Sequence, residues 1–198
     1  MKKNYLLLAL CITLISSCKN KQNGAVTITD KDGKEQVTID PEKMKDAAAD
    51  MEKIKEELAN LTPVTADQLK AMVPAQLMST PHENLDVSTS TGASIASAEY
   101  KINDSTNIKL SIIDCAGPGG AGIYSLQYLG MMNVQEDTDE EYTKTINFNG
   151  AKAFEHCDKT DNECSFIYFA RGRFLISLEG EGVKMGALKQ AANGLDIK

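Results

Sequence analysis

The chain predicts an α+β fold: an antiparallel sheet with flanking helices, an α/β/α sandwich, preceded by a β-hairpin and an amphipathic helix. Two observations carry this. Alternating β-branched and apolar segments occur in pairs joined by short polar turns, the pattern of antiparallel hairpins. Helix-periodic segments with caps stand before, between and after those pairs, which places helices against the sheet instead of threading them between parallel strands.

The elements follow in order. A-V-T-I-T and Q-V-T-I-D flank Asp30-Lys31-Asp32-Gly33-Lys34 and form the first hairpin. Asp40 is an N-cap with Pro41 at the first helical position. Met44, Ala47, Ala48, Met51, Ile54, Leu58 and Leu61 then recur at helical spacing, so a helix runs to about Asn60. Leu61-Thr62-Pro63-Val64 is a linker, and Thr65 with Gln68 is a capping box that opens a second helix ended by Pro74. Strands follow near 77–80, 84–90, 95–102 and 107–114, the last two joined by a turn at Asn103-Asp104-Ser105-Thr106. A glycine-rich loop at 117–122 leads into a short helix near 123–132, and an acidic loop spans 136–141. Strands at 142–148, 151–157, 164–170 and 173–179 precede a final helix at 183–193. The domain reading is thus 1–17, a cleaved leader; 18–24, a tether; 25–61, hairpin plus helix; and 62–198, the sandwich. The last is expected to fold alone.

The leader rests on Lys2 and Lys3, a short apolar core from Tyr5 to Ile15, and I-S-S-C ending at Cys18. That apolar core falls short of the ~20 residues a membrane span needs. The pattern resembles a bacterial lipoprotein signal. The resemblance implies a diacylglyceryl group on the Cys18 sulfur, cleavage before it and acylation of the new amino group, so that several acyl chains hold the body at a membrane. Lys19 follows the cysteine where the inner-membrane retention pattern has Asp, which favours the outer membrane. The run Lys19-Asn20-Lys21 lacks the acids of some surface-displayed lipoproteins, which favours the periplasmic side over the cell surface.

A second resemblance covers about 65–198. Thr65, Leu69 and Pro74, then Ala98 and Tyr100, then S-I-I-D at 111–114 occur in order. They are followed by Tyr142-Thr143-Lys144-Thr145, Gly150 with Ala153, Arg173-Phe174, and Gly180 with Gly182. This layout resembles a group of small, mostly uncharacterised exported proteins of Gram-negative bacteria and is similar to the PsbP/Mog1-like sandwich. It implies a fold and transfers no catalytic residue; the Cys157/Cys164 pair lies outside the shared pattern.

Composition narrows the function classes. The chain carries 21 Lys plus Arg against 28 Asp plus Glu, and loss of Lys2 and Lys3 with the leader takes its formal charge from −7 to about −9. Such an acidic body lacks the basic footprint of a nucleic-acid binder. Trp is absent and aromatics are 6%, so no stacking platform for sugars or bases is apparent. Gly117-Pro118-Gly119-Gly120-Ala121-Gly122 spells G-x-G-x-x-G after a strand, but Pro118 removes a backbone donor that a phosphate cradle needs, and the neighbouring strands read as antiparallel. No nucleotide or other cofactor is expected.

Cys157 and Cys164 stand at the mouths of facing strands and suit a disulfide across the hairpin neck. The rival readings are zinc, with His156, and calcium, with Asp158, Asp161 and Glu163. Adjacent strand residues His156 and Cys157 point to opposite faces, and the loop lacks EF-hand spacing. Free thiols are the third alternative, and no metal site is expected. Cys115 reads as a small core residue. His82 and His156 are the two histidines and no G-x-S-x-G is present, so no catalytic residue is assigned. Asp114, Glu155 and Glu179 are the carboxylates that could pair. Arg171 and Arg173 flank Gly172 at a hairpin tip and are the candidate anion contacts. Asp104-Ser105-Thr106 resembles an O-glycan acceptor of some Gram-negative periplasmic proteins, with Ser105 as acceptor. The expected function is a membrane-anchored periplasmic lipoprotein, attached through lipidated Cys18, that acts as a binding or envelope-assembly module with a protein partner. The alternative is a periplasmic enzyme or small-ligand carrier.

Overall fold

The computed structural model describes residues 26–29, 35–39, 41–89, 92–131 and 134–197, with side chains from Ala48 onward. The leader, Cys18 and the tether at 18–24 lie outside the described residues. The chain opens with strands β1 (Val26–Thr29) and β2 (Glu35–Ile39), then helices α1 (Pro41–Ala59) and α2 (Ala66–Met72), as the alternating and capped segments predict. Strands β3 (Gln76–Leu77), β4 (Thr80–Pro81), β5 (Glu83–Ser88), β6 (Ser94–Asn103) and β7 (Thr106–Asp114) lead to helix α3 (Gly117–Gly130). After it come β8 (Gln135–Asp137), β9 (Glu141–Phe148), β10 (Ala151–Asp158), β11 (Glu163–Ala170), β12 (Phe174–Glu181) and helix α4 (Met185–Asn193).

Eight strands form one antiparallel sheet in the order β5-β6-β7-β12-β11-β10-β9-β8, so the architecture is the expected α+β sheet with flanking helices. Two meanders meet at the β7–β12 seam, where Asn107 to Asp114 face Glu181 to Phe174 in antiparallel register. The β9–β10 and β11–β12 turns are Asn149-Gly150 and Arg171-Gly172, with φ of 52°, 83°, 54° and 63°. Two consecutive left-handed residues are what a tight two-residue hairpin needs to match strand twist.

The sequence expectation differs from the structure in three places. The single strand near 77–80 is instead the small β3–β4 hairpin, because Met78 and Ser79 both adopt positive φ (51° and 66°) and turn the chain back. The acidic loop at 136–141 contains β8, which pairs with β9 to become a sheet edge. The glycine-rich segment 117–122 is the start of α3, not a loop. Gly117, at φ +78°, makes the entry to α3, and Pro118 sits at the helix start, where its missing N–H costs nothing.

Strand alternation sends two side-chain sets to opposite faces. Ala98 and Tyr100 of β6, Ile108, Leu110 and Ile112 of β7, Ile176 and Leu178 of β12 and Phe166 of β11 form the larger core, closed by Leu69 of α2 and Leu188 of α4. The Tyr100 hydroxyl donates to the Pro74 carbonyl at 2.8 Å, and Lys189 of α4 donates to Glu155 of β10 at 2.8 Å, tying both covers to the sheet. On the other face Leu175, Phe169, Cys115, Ala121 and Tyr124 form a second cluster that includes Leu58 of α1.

Two features bear on the reading of 61–64 as a linker. Leu58 is only 2% exposed, so α1 is packed on α3 and the sheet. The segment that follows is pinned by one carboxylate: Asp114 accepts from Val64 N at 2.7 Å, Ala116 N at 3.1 Å, and Arg173 Nε and Nη2 at 2.7 and 2.9 Å. Arg173 Nη2 also donates to the Thr62 carbonyl at 2.8 Å. A chain beginning at Thr62 retains this staple and the whole larger core, so it is expected to melt cooperatively. It should melt below the full chain, since burial of Leu58 alone is worth about 1.5–3 kcal/mol. An insoluble product, or one without a cooperative transition in calorimetry, would show that α1 is integral to the fold.

Candidate functional site

The α1/α3 cover reaches over only one end of its sheet face. There the strands present Ile113, Leu175 and Phe169; two residues further along comes a row of Ser111, Ser177 and Ile167, with Ser97 beside Ser111 on β6. Beyond that the face turns charged. Glu83, Glu99, Lys109, Glu179, Ser165 and His156 are successive cross-strand partners on six strands, a row about 24 Å wide at the usual strand spacing. A rim row of Lys101, Asn107, Glu181, Glu163 and Asp158 lies outside it.

These rows floor an open groove of about 630 Å³, lined by seven carboxylates and two lysines. Several groups are held in place by neighbours. Asn107 donates to Glu181 at 2.7 Å, Asn84 to Glu99 at 2.9 Å, and the Thr143 hydroxyl pairs with His156 Nδ1 at 3.0 Å. Asp158 accepts the N–H groups of Asp161 and Thr160 at 3.0 and 2.7 Å, which hold its carboxyl below the usual range. The sheet floor is rigid, the lining is polar, and the net charge is negative, so the groove suits a ligand that offers cationic hydrogen-bond donors.

Hydrolysis fits the row less well. Nucleophilic catalysis puts the histidine between hydroxyl and carboxylate, whereas here Ser165 lies between His156 and Glu179, and the histidine's Nδ1 faces a threonine.

The residues singled out from sequence fall in several places. Cys157 and Cys164 are directly opposed in β10 and β11 and joined in a disulfide. Cys157 faces the larger core while His156 faces the groove, so the strand separates these two side chains as alternation requires. Among the described residues no three His, Cys, Asp or Glu side chains are grouped to hold a metal. Arg171 is an exposed turn residue, and Arg173 is occupied by Asp114 and Thr62. Ser105 is exposed at the β6–β7 turn by the groove rim, its hydroxyl donating to Asn103 Oδ1 at 3.2 Å. Asp114 and Glu155 are structural anchors, and Glu179 alone of the three singled-out carboxylates lines the groove. His82 lies edge-on to the Tyr100 ring.

Cys115 is fully buried, and burial pushes its thiol up to about 12. Reduction of the native protein should therefore open only the Cys157–Cys164 bridge, at a cost of about 2.5 kcal/mol for an eight-residue closed loop. Iodoacetamide should then reach Cys164 before unfolding, and Cys157 and Cys115, both buried, only after it. Alkylation of Cys115 in the native state, read by peptide mass spectrometry, would contradict its burial.

Sequence reading did not find the groove, yet its signal is present. β6, β7, β11 and β12 each change along one face from apolar or serine positions to charged ones: Ile95 to Glu99, Ile113 to Lys109, Phe169 through Ser165 to Glu163, Leu175 to Glu179. Fold and groove together define a two-faced α+β sandwich with one half-open, acid-lined sheet face. Comparison of the chain with protein-family models, with curated proteins and with solved structures finds no match.

Proposed function

We propose that the protein is a lipoprotein anchored through Cys18 in the outer membrane, facing the periplasm, and that it serves as a binding or envelope-assembly module whose contact surface is the open groove. The observation that supports this reading most is the half of the sheet face that none of the described residues covers. A polar row about 24 Å wide on a rigid floor is long enough for an extended segment of a partner. The carboxylate excess selects a segment bearing amino or guanidinium groups. The anchor rests on the signal pattern that ends at Cys18.

Two measurements test the parts separately. Cys18→Ser should release the protein from the membrane fraction, and mass spectrometry of the wild type should show acyl groups at Cys18. If the variant stays with membranes and the wild type carries no acyl group, the anchor reading fails. A photo-crosslinking residue at Ser165 should capture a partner in intact cells, and Glu99→Lys with Glu179→Lys should abolish that product. The same crosslinks from Ser165 with and without these reversals would remove the groove from the argument.

A further inference from the structure

The second exposed feature is helix α3. From Cys115 to Val134 the chain has no Asp, Glu, Lys, Arg or His, an unusual interval in a protein with 28 acidic residues. One side of α3 is accounted for, with Gly117, Gly120, Ala121 and Tyr124 buried against the sheet and α1. Its outward side is not polar as a solvated helix face should be. Leu126 is 75% exposed and Leu129 51%, and both stand beside uncharged Gln127 and Gly130. Tyr128 lies at the edge of this patch with Lys152 Nζ 4.8 Å above its ring, an aromatic and cationic pair of the kind that sits well at lipid headgroups.

The path of the chain says what covers the patch. α1 runs against α3, and β2 lies against β8, which follows α3 after a few residues. The N-terminal part of the chain thus enters the fold on the α3 side of the sheet. Cys18 precedes the first residue of β1 by eight positions, so a fully extended tether spans at most about 28 Å. An anchor on so short a lead keeps this side of the molecule close to the bilayer. No helix among the described residues is long and apolar enough to cross a membrane, so α3 can lie on the surface but not span it.

We infer that α3 seats the protein on the bilayer, with Leu126 and Leu129 entering the headgroup boundary and Tyr128 and Lys152 at its margin. The inference rests on the lipid anchor proposed above and adds an orientation. The groove opens on the same sheet face that α3 covers, and its rim at the β6–β7 turn lies at the opposite end of the strands from Asp114, where α3 begins.

The test uses full-length lipidated protein in vesicles of phosphatidylethanolamine with a minor share of phosphatidylglycerol. Because Cys115 is buried and Cys157 is bonded to Cys164, a Leu126→Cys variant carries one reactive thiol for an environment-sensitive fluorophore, and Asp104→Cys places the same probe in the β6–β7 turn. Both variants are first checked for wild-type melting, and acylation of Cys18 is confirmed by mass spectrometry. Quenching of the residue 126 probe by aqueous iodide should fall several-fold on vesicles, while bromine-bearing acyl chains quench it; the residue 104 probe should show neither change. If the residue 126 probe stays open to iodide on an acylated protein, the seating is wrong and the anchor stands. Shielding from iodide without quenching by lipid would mean that a second copy of the chain covers α3, which overturns the proposal. Absence of acyl groups would remove the anchor and the seating together.

Discussion

Asp114→Ala is expected to destabilise the protein by about 3–5 kcal/mol, the cost of breaking a buried ion pair by deleting one partner. Asp114 is fully buried and takes four hydrogen bonds, two from Arg173 and one each from the Val64 and Ala116 backbone. Its removal takes their acceptor from the Val64 and Ala116 N–H groups and two of the guanidinium's three bonds, and leaves Thr62–Val64 held only by Arg173 at the Thr62 carbonyl and Ser94 at the Val64 carbonyl. Urea unfolding with a full baseline measures this, and a cost under about 1 kcal/mol, that of an ordinary hydrogen bond, would show that the staple is incidental. The same group gives stability a pH dependence. Burial raises the Asp114 pKa, but the bonds from Arg173, Val64 and Ala116 outweigh it, so the folded-state pKa lies below its ordinary value. A carboxyl lowered on folding contributes its full stabilisation above its unfolded pKa of about 3.9 and loses it as pH falls through the folded value. The wild type should therefore lose stability below about pH 4 more steeply than Asp114→Asn.

Two glycines of one motif should respond in opposite directions to alanine. At Gly120 a Cβ would lie 2.5 Å from the Cys115 carbonyl carbon and 2.7 Å from the Asp114 carbonyl oxygen. These are backbone atoms that cannot turn aside, so Gly120→Ala should cost about 3 kcal/mol, the upper range for overpacking. At Gly122 nothing lies within 4 Å, so Gly122→Ala should add about 0.5–1 kcal/mol through helix propensity alone. Thermal melts of the two variants decide it. Equal effects would mean that close approach of α3 to the end of β7 is not what the glycines provide.

Those glycines show where sequence reading stops. The G-x-G-x-x-G spelling could be denied a phosphate because of Pro118, but its purpose was invisible: Gly119 meets the Gly92 backbone and Gly120 that of Asp114 and Cys115, contacts made only after folding. Local signals served well. The Thr65/Gln68 capping box, the paired strands on either side of 149–150 and the opposed cysteines all appear as expected, because each depends on residues close in sequence. Asp114 and Arg173 are 59 residues apart, and Arg173 was legible only as a hairpin-tip cation. The groove was hidden for the same reason: its row comes from six strands, each contributing one or two polar residues that look like ordinary solvated strand positions.

The sheet order has a kinetic consequence. β7 and β12 stand side by side, yet their paired residues are 60 positions apart at the Asp114 end and 74 at the Asn107 end. Each meander can form from local hairpins, but the seam must wait for a long loop to close, which makes it the slow step of an otherwise local topology. Until then two strands rich in isoleucine and leucine show bare edges side by side, the arrangement most prone to pairing with another molecule. The Asp114–Arg173 pair sits at one end of that seam. Its loss would then be felt in the yield of correctly closed molecules as well as in the stability of those that close.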